Sequence, residues 1–238
     1  MDNNSKEEKQ QIIPEKHPKQ DFQVERLAFF SDAVFAIALT LLVVEFKAPQ
    51  ITNTTTYDNV VKQLFDLKYN FVAILLSFFF ITSFWMQHHK LFKYIHNYNT
   101  QIIVANMLVL LPIIFFPFTT TFLAESFATI EGSIANPDIY LLGIKLFLIN
   151  AFCAASAVFV LYWFALVKYK ELSFEMPKKE KIEFTFNSYF SIFILAAMAI
   201  VLFITNNMLI IAAVTYFALF IRIILRRKIV KSEKRVRI

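Results

Sequence analysis

Arg26, Ser31 and Asp32 stand near the start of an apolar run that continues to Phe46, interrupted after them only by Thr40 and Glu45. An acid inside such a run costs at least a few kcal/mol in a bilayer unless it finds a partner. Its chemistry is therefore a proton relay, an ion path or a hydrogen bond to a neighbouring helix. Arg26, at the very start, is also the kind of residue that reaches back to the membrane surface. Two further polar groups lie in apolar company. Trp85, His88 and His89 close a second apolar run, and Asn106 sits inside a third, ahead of Pro112 and Pro117. Trp85 and His88 share a helical face, so either suits Asp32 or Ser31 as a partner. A buried Asn bonds most often to another helix, and the two prolines bend the helix and free carbonyls that either serve as a kink or line a conduction path.

Helix geometry separates the first run into two sets. At about 100° per residue, Arg26, Phe30, Ala33, Ile37, Thr40, Leu41 and Val44 fall within one arc of about 100°, and Ser31 and Asp32 fall on other flanks. From periodicity alone the arc reads first as ordinary bundle core. It also suits a pore wall: rings of Ile, Leu or Val repeated by symmetry form a constriction that gates by dewetting. From Ala33 to Val44 such a wall runs about 16 Å. One helix encloses nothing, so several copies of the chain would have to supply it.

These residues need a membrane around them, and composition supplies it. Hydrophobic residues make up 58% of the 238 positions, Phe alone accounts for 29, and charged residues fall to 18%. Six apolar segments follow, at roughly 27–46, 69–87, 102–124, 139–167, 186–205 and 208–227, near the ~20 residues a bilayer requires except the fourth, whose length implies tilt or projection beyond the bilayer. The fold expected is an all-α membrane protein with six transmembrane helices per chain. Segments five and six, joined by little more than Thr205, Asn206 and Asn207, form an antiparallel hairpin. Segments four to six carry almost no polar interior residue apart from Lys145, and read as an outer packing shell. The stretch 47–68, with its Thr-rich Thr52–Thr56, is either an ordered cap or a plain loop.

Lys and Arg set the orientation. They crowd the N-terminal arm, the second connection (Lys90, Lys93), the fourth (Lys168, Lys170, Lys178, Lys179, Lys181) and the tail from Arg222 on. The third connection has none and holds Glu125, Glu131 and Asp138. Both termini are therefore expected in the cytoplasm. Residues 1–25 read as a disordered cytoplasmic arm without a cleavable signal peptide, 26–228 as the six-helix unit, and 229–238 as a basic tail facing anionic lipid rather than nucleic acid.

Several functions find no foothold. With Gly132 and Gly143 as the only glycines, there is no Gly-rich phosphate loop, dinucleotide fingerprint or glycine-bearing carbonyl filter. His88 and His89 diverge by about 100° on a helix, which does not suit a metal, and no metal or cofactor is expected. Cys153 reads as a packing residue. Catalytic signatures such as Gly-x-Ser-x-Gly or His-Glu-x-x-His are absent, so an enzyme is not expected. A secondary transporter with Asp32 and His88 as a proton relay remains open, as does a proton-conducting channel, although no inverted repeat is visible. A non-conducting scaffold is the third reading.

The opening Arg26-x-x-x-Phe30-Ser31-Asp32 resembles the signature of the transmembrane protein 175 family of potassium channels. Trp85-x-x-His88-His89, and Asn106 followed by Pro112-x-x-x-x-Pro117-Phe118-Thr119, are similar to its prokaryotic members. The resemblance is specific over about residues 26–120. It implies a passive potassium-permeable channel in a prokaryotic plasma membrane, made of four copies around a central pore lined by first helices, with permeant monovalent cations and lipid as its partners. By position, Ile37, Leu41 and Val44 would form the constriction and Thr40 a hydroxyl layer. Arg26, Phe30, Ser31 and Asp32 would belong to a structural polar network with Trp85, His88 and Asn106.

Overall fold

The computed structural model describes residues 18–44, 48–49, 51–128, 137–205 and the single positions 217 and 221. Among them the long elements are all α-helices: α1 (Pro18–Val44), α2 (Tyr57–Asp66), α3 (Lys68–Phe92), α4 (Thr100–Ala128), α5 (Pro137–Trp163) and α6 (Lys178–Ile204). Among the described residues five stretches are long and apolar enough to cross a membrane, α2 and α3 counting as one. The sixth expected segment, 208–227, and the basic tail lie outside the described residues.

Helix α4 is the hub, packing against α1, α3 and α5. Both it and α5 bury small residues, Ala105 and Ala124 on α4 and Ala151, Ala154 and Ala155 on α5. Small side chains let helix backbones approach closely, which is how helices associate where water offers no hydrophobic drive. At Gly143 the approach is close: a Cβ there would run into the Oγ of Ser126 on α4 and lie 2.7 Å from its Cβ. Phenylalanines fill the α3–α4–α5 junction, with Phe116 and Phe80 each edge-on to Phe147, ring centroids 5.7 and 5.6 Å apart.

The structure departs from the sequence expectations in several places. Helix α1 begins at Pro18, so residues 18–25, assigned to the arm, are helical; proline suits a first helical position, where its missing N–H is no loss. Of the two alternatives for the first connection the structure has the ordered one, a helix, α2, whose N-cap hydroxyl of Thr56 accepts from the amide of Asn59. Helix α6 starts at Lys178, well before residue 186, because its first turns are lysine-rich and fall below any hydropathy threshold. Cys153 is exposed on the protomer surface and is not a core residue. The outer shell is also less apolar inside than expected: Asn150 on α5 donates to the carbonyl of Pro112 at 3.0 Å, and Tyr162 meets Thr185 at 2.8 Å. The Pro112 carbonyl thus serves contact within the protomer.

The α3–α4 and α5–α6 connections join at one end of the bundle. The amides of His96 and Asn97 donate to the carbonyl of Leu172, the Phe174 amide donates to Tyr94 at 2.7 Å, and Ile95 bridges Ser173 antiparallel. The first turns of α1 lie at this end too, sharing a cavity of about 590 Å³ with His89, His96 and Phe174. Three of the lysine-bearing segments therefore share one end.

Candidate functional site: the two faces of the first helix

Helix α1 is apolar nearly all round, as a helix must be when every face meets lipid or protein. Its faces nonetheless differ. Ser31, Phe35, Ala38 and Leu42 recur at four-, three- and four-residue steps and are buried against the protomer's own bundle. Arg26, Phe30, Ala33, Ile37, Thr40, Leu41 and Val44 are all exposed, with Ile37 at 57%, Leu41 at 41% and Val44 at 71%. The arc is not bundle core. Periodicity cannot tell which face of an all-apolar helix turns inward, and here the inward turn is decided by Ser31.

Ser31 anchors a buried chain of hydrogen bonds across three helices. Its hydroxyl donates to the carbonyl of Leu27 at 2.9 Å, because a carbonyl can only accept. Its oxygen is then left to accept from the Nδ2 of Asn106 on α4, at 2.9 Å. The remaining amide oxygen of Asn106 accepts from Nε2 of His88 on α3, at 2.7 Å. Each direction follows from the one before, so His88 carries its proton on Nε2 and its buried Nδ1 has no partner. All three residues are essentially sealed from solvent. The imidazole is held between Phe92, stacked with centroids 4.4 Å apart, and Phe35 of α1 at 5.5 Å.

Asp32 takes a separate partner. The indole Nε1 of Trp85 donates to its Oδ1 at 2.9 Å. Asp32 and His88 thus belong to two different bonds, one accepting from α3 and one pointing to α4. Phe30 lies on the exposed face, away from both, and Arg26 is exposed at the same face's start. His88 and His89 part as their spacing requires, one buried and one exposed; among the described residues no three His, Cys, Asp or Glu cluster as a metal site would need. On the exposed arc, Thr40 turns its hydroxyl back to the Ile37 carbonyl at 2.8 Å, leaving its oxygen with lone-pair capacity to spare.

Three contributors escaped sequence reading. Ser77 on α3 and Thr120 on α4 meet at 2.5 Å in the buried interface; a hydroxyl in each of two apolar segments was the available signal. Phe35 and Phe92 had no signal among so many phenylalanines. Tyr94 donates to Glu180 at 2.7 Å, and Lys90 reaches the same carboxylate oxygen at 3.5 Å, clasping α3 and its loop to α6. The Glu180 carboxylate raises the Tyr94 phenol above its ordinary range, chiefly through this hydrogen bond.

The arrangement is that of a helical membrane protein whose first helix keeps one face for its own bundle and offers the other outward. Residues 26–117 match the family described as Endosomal/lysosomal potassium channel TMEM175. A potassium channel of Chamaesiphon minutus is 40% identical over 100 residues, covering 42% of this chain and 49% of that protein. A potassium channel of Streptomyces collinus is 32% identical over 100 residues, covering 42% and 47%. The chain thus spans about half the length of the curated relatives it matches. The fold agrees over more of the chain. The crystal structure of a lysosomal potassium-selective channel TMEM175 homolog from Chamaesiphon minutus superposes with a TM-score of 0.63 at 24% identity, covering 84% of this chain and 96% of that one. The T38A variant of the potassium channel MtTMEM175 gives 0.61 at 20% identity, covering 91% and 99%. Residues 26–117 are thus similar in sequence to the endosomal/lysosomal potassium channel TMEM175 family, and the fold of the chain is that of the two solved channels.

Proposed function

We propose that this chain is one subunit of a homotetrameric potassium-permeable channel whose pore is lined by α1, with both termini cytoplasmic in a prokaryotic plasma membrane. The observation that carries the reading is the exposed apolar arc of α1. A span whose Ile37, Leu41 and Val44 are turned away from its own bundle needs either lipid or other copies of itself to cover them. A second exposed line on α1, Phe29, Ala36 and Val43, gives the helix flanks on which neighbouring copies can pack. In such an assembly Ile37, Leu41 and Val44 form rings that gate by dewetting, and Thr40 offers hydroxyl oxygens to a passing cation. The Ser31–Asn106–His88 chain and the Trp85–Asp32 bond hold α1 at a fixed rotation, which keeps that arc on the axis. The relatives named potassium channels support the permeant ion.

A proton relay through Asp32 and His88 draws less support, since each is engaged by a different residue. The test is recording from purified protein in planar bilayers under potassium, sodium and proton gradients, with the oligomer mass measured alongside. The expected outcome is a tetramer with potassium current, raised in Ile37→Asn, whose amide wets the constriction. A monomer without current, or a saturable coupled flux abolished in Asp32→Asn, contradicts the proposal.

A further inference from the structure

The end of α5 carries an arrangement that the channel reading does not use. After Trp163 the helix widens into one π-helical turn, Phe164–Lys168, closed by the Tyr169 amide donating to the carbonyl of Phe164 at 2.9 Å. That i to i+5 bond brings the rings of Phe164 and Tyr169 parallel, centroids 6.0 Å apart at 11°. Lys168 Nζ sits 5.7, 5.1 and 5.2 Å from the centroids of Trp163, Phe164 and Tyr169. Three rings therefore hold one ammonium at the surface. Cation–π attraction positions the charge but consumes none of its N–H donors on an acceptor oxygen. Lys168 has no acidic partner among the described residues, whereas Lys90 is engaged by Glu180. The π-turn and the residues up to Lys170 hold two lysines, Lys168 and Lys170, followed by one exposed acid, Glu171.

We infer that this π-turn is a binding site for the phosphate of an anionic phospholipid, taken from the leaflet at the end where the α3–α4 and α5–α6 connections meet. Lys168 and Lys170, both exposed, supply the donors. Trp163, 42% exposed, lies where amphipathic aromatic rings settle at headgroup depth, and the exposed Val167 offers contact to the first acyl methylenes. A lysine that merely reached for water would extend away from the rings. Here the π-turn fixes it beside them, and π-turns inside α-helices frequently mark functional positions.

Native mass spectrometry of the full chain, solubilised from vesicles of equal phosphatidylglycerol and phosphatidylcholine, tests the site. Phosphatidylglycerol is expected to be retained in preference. Each lysine near an anionic surface contributes about fivefold in affinity, so Lys168→Gln with Lys170→Gln should lose the preference by at least about that factor, while Lys168→Arg keeps it. Unbiased retention by the unaltered protein overturns the proposal whether or not the variants assemble. So does equal retention by the assembled double variant. Displacement of the lipid by millimolar glycerol 3-phosphate assigns the site to soluble phosphates instead, and likewise overturns it.

Discussion

Asn106 donates its amide to the hydroxyl of Ser31 at 2.9 Å, and this bond, with that of Trp85 to Asp32, ties one side of α1 to its own bundle. With Ser31 inward, Ile37, Leu41 and Val44 turn outward by helical geometry alone. Polar residues in an apolar setting thus act as a rotational key for the residues around them.

Removing the key has a defined cost. Ser31→Ala leaves the Asn106 amide without its acceptor in a sealed site, a loss of about 1–3 kcal/mol. Thermal unfolding followed by circular dichroism in detergent should show the variant melting below the unaltered protein. Asn106→Leu, which breaks both bonds and strands His88, should fall further. Equal melting temperatures for all three would mean that the chain of bonds holds nothing.

The Trp85–Asp32 bond makes an asymmetric prediction. Trp85→Phe keeps the ring but leaves a half-buried carboxylate without its donor, and unsatisfied charged groups cost more than neutral ones. Asp32→Asn keeps an acceptor oxygen and should be the milder change. Ranking the two by thermal stability checks this; the reverse order would argue against the bond.

Gly143 permits a close approach of α5 to α4. Gly143→Ala should destabilise by about 1–3 kcal/mol, the usual range for overpacking, because its methyl group meets the side chain of Ser126. Ser126→Gly in the same chain removes the obstructing atoms and should restore part of the loss. A second substitution that adds to the first, rather than offsetting it, would show that the contact is not the cause.

At the lysine-rich end, the Tyr94–Glu180 clasp is sensitive to alkali. The folded phenol ionises above the ordinary tyrosine range. The stability it contributes is therefore complete below the pKa of the unfolded phenol and is lost as pH rises through the raised folded value. Tyr94→Phe should be less stable at neutral pH and should lack that share of the alkaline loss. Ultraviolet titration of tyrosinate, compared between the two proteins, reads the missing high-pH step.

Much of the site was legible because a membrane span makes each polar residue conspicuous. Ser31, Asp32, Trp85, His88 and Asn106 stand out against apolar neighbours, and their helical spacing separates Ser31 from the Ile37 arc. What the arc faces was not legible, since on a helix apolar all round the inward side is chosen by partners on other helices. Asn150 was overlooked for the same reason: its acceptor is a backbone carbonyl, which no side-chain pattern reveals. The start of α6 is polar enough to read as a loop, and composition left 47–68 open between a cap and a loop; a hydrogen-bonding N-cap at α2 and lysine-tolerant turns at α6 accompany the helices found there. The stacking of Phe92 on His88 needed coordinates.

The most direct test of the central claim asks whether the exposed arc of α1 meets permeating ions or lipid. In a Cys153→Ser background, Ile37→Cys and Thr40→Cys are placed on the arc and Phe79→Cys on the exposed face of α3. Silver ion, a monovalent cation that bonds thiolates, is then added during potassium flux from liposomes. A pore-lining α1 predicts lasting block at positions 37 and 40 with flux unchanged at 79. Undiminished flux at 37 and 40 would contradict it.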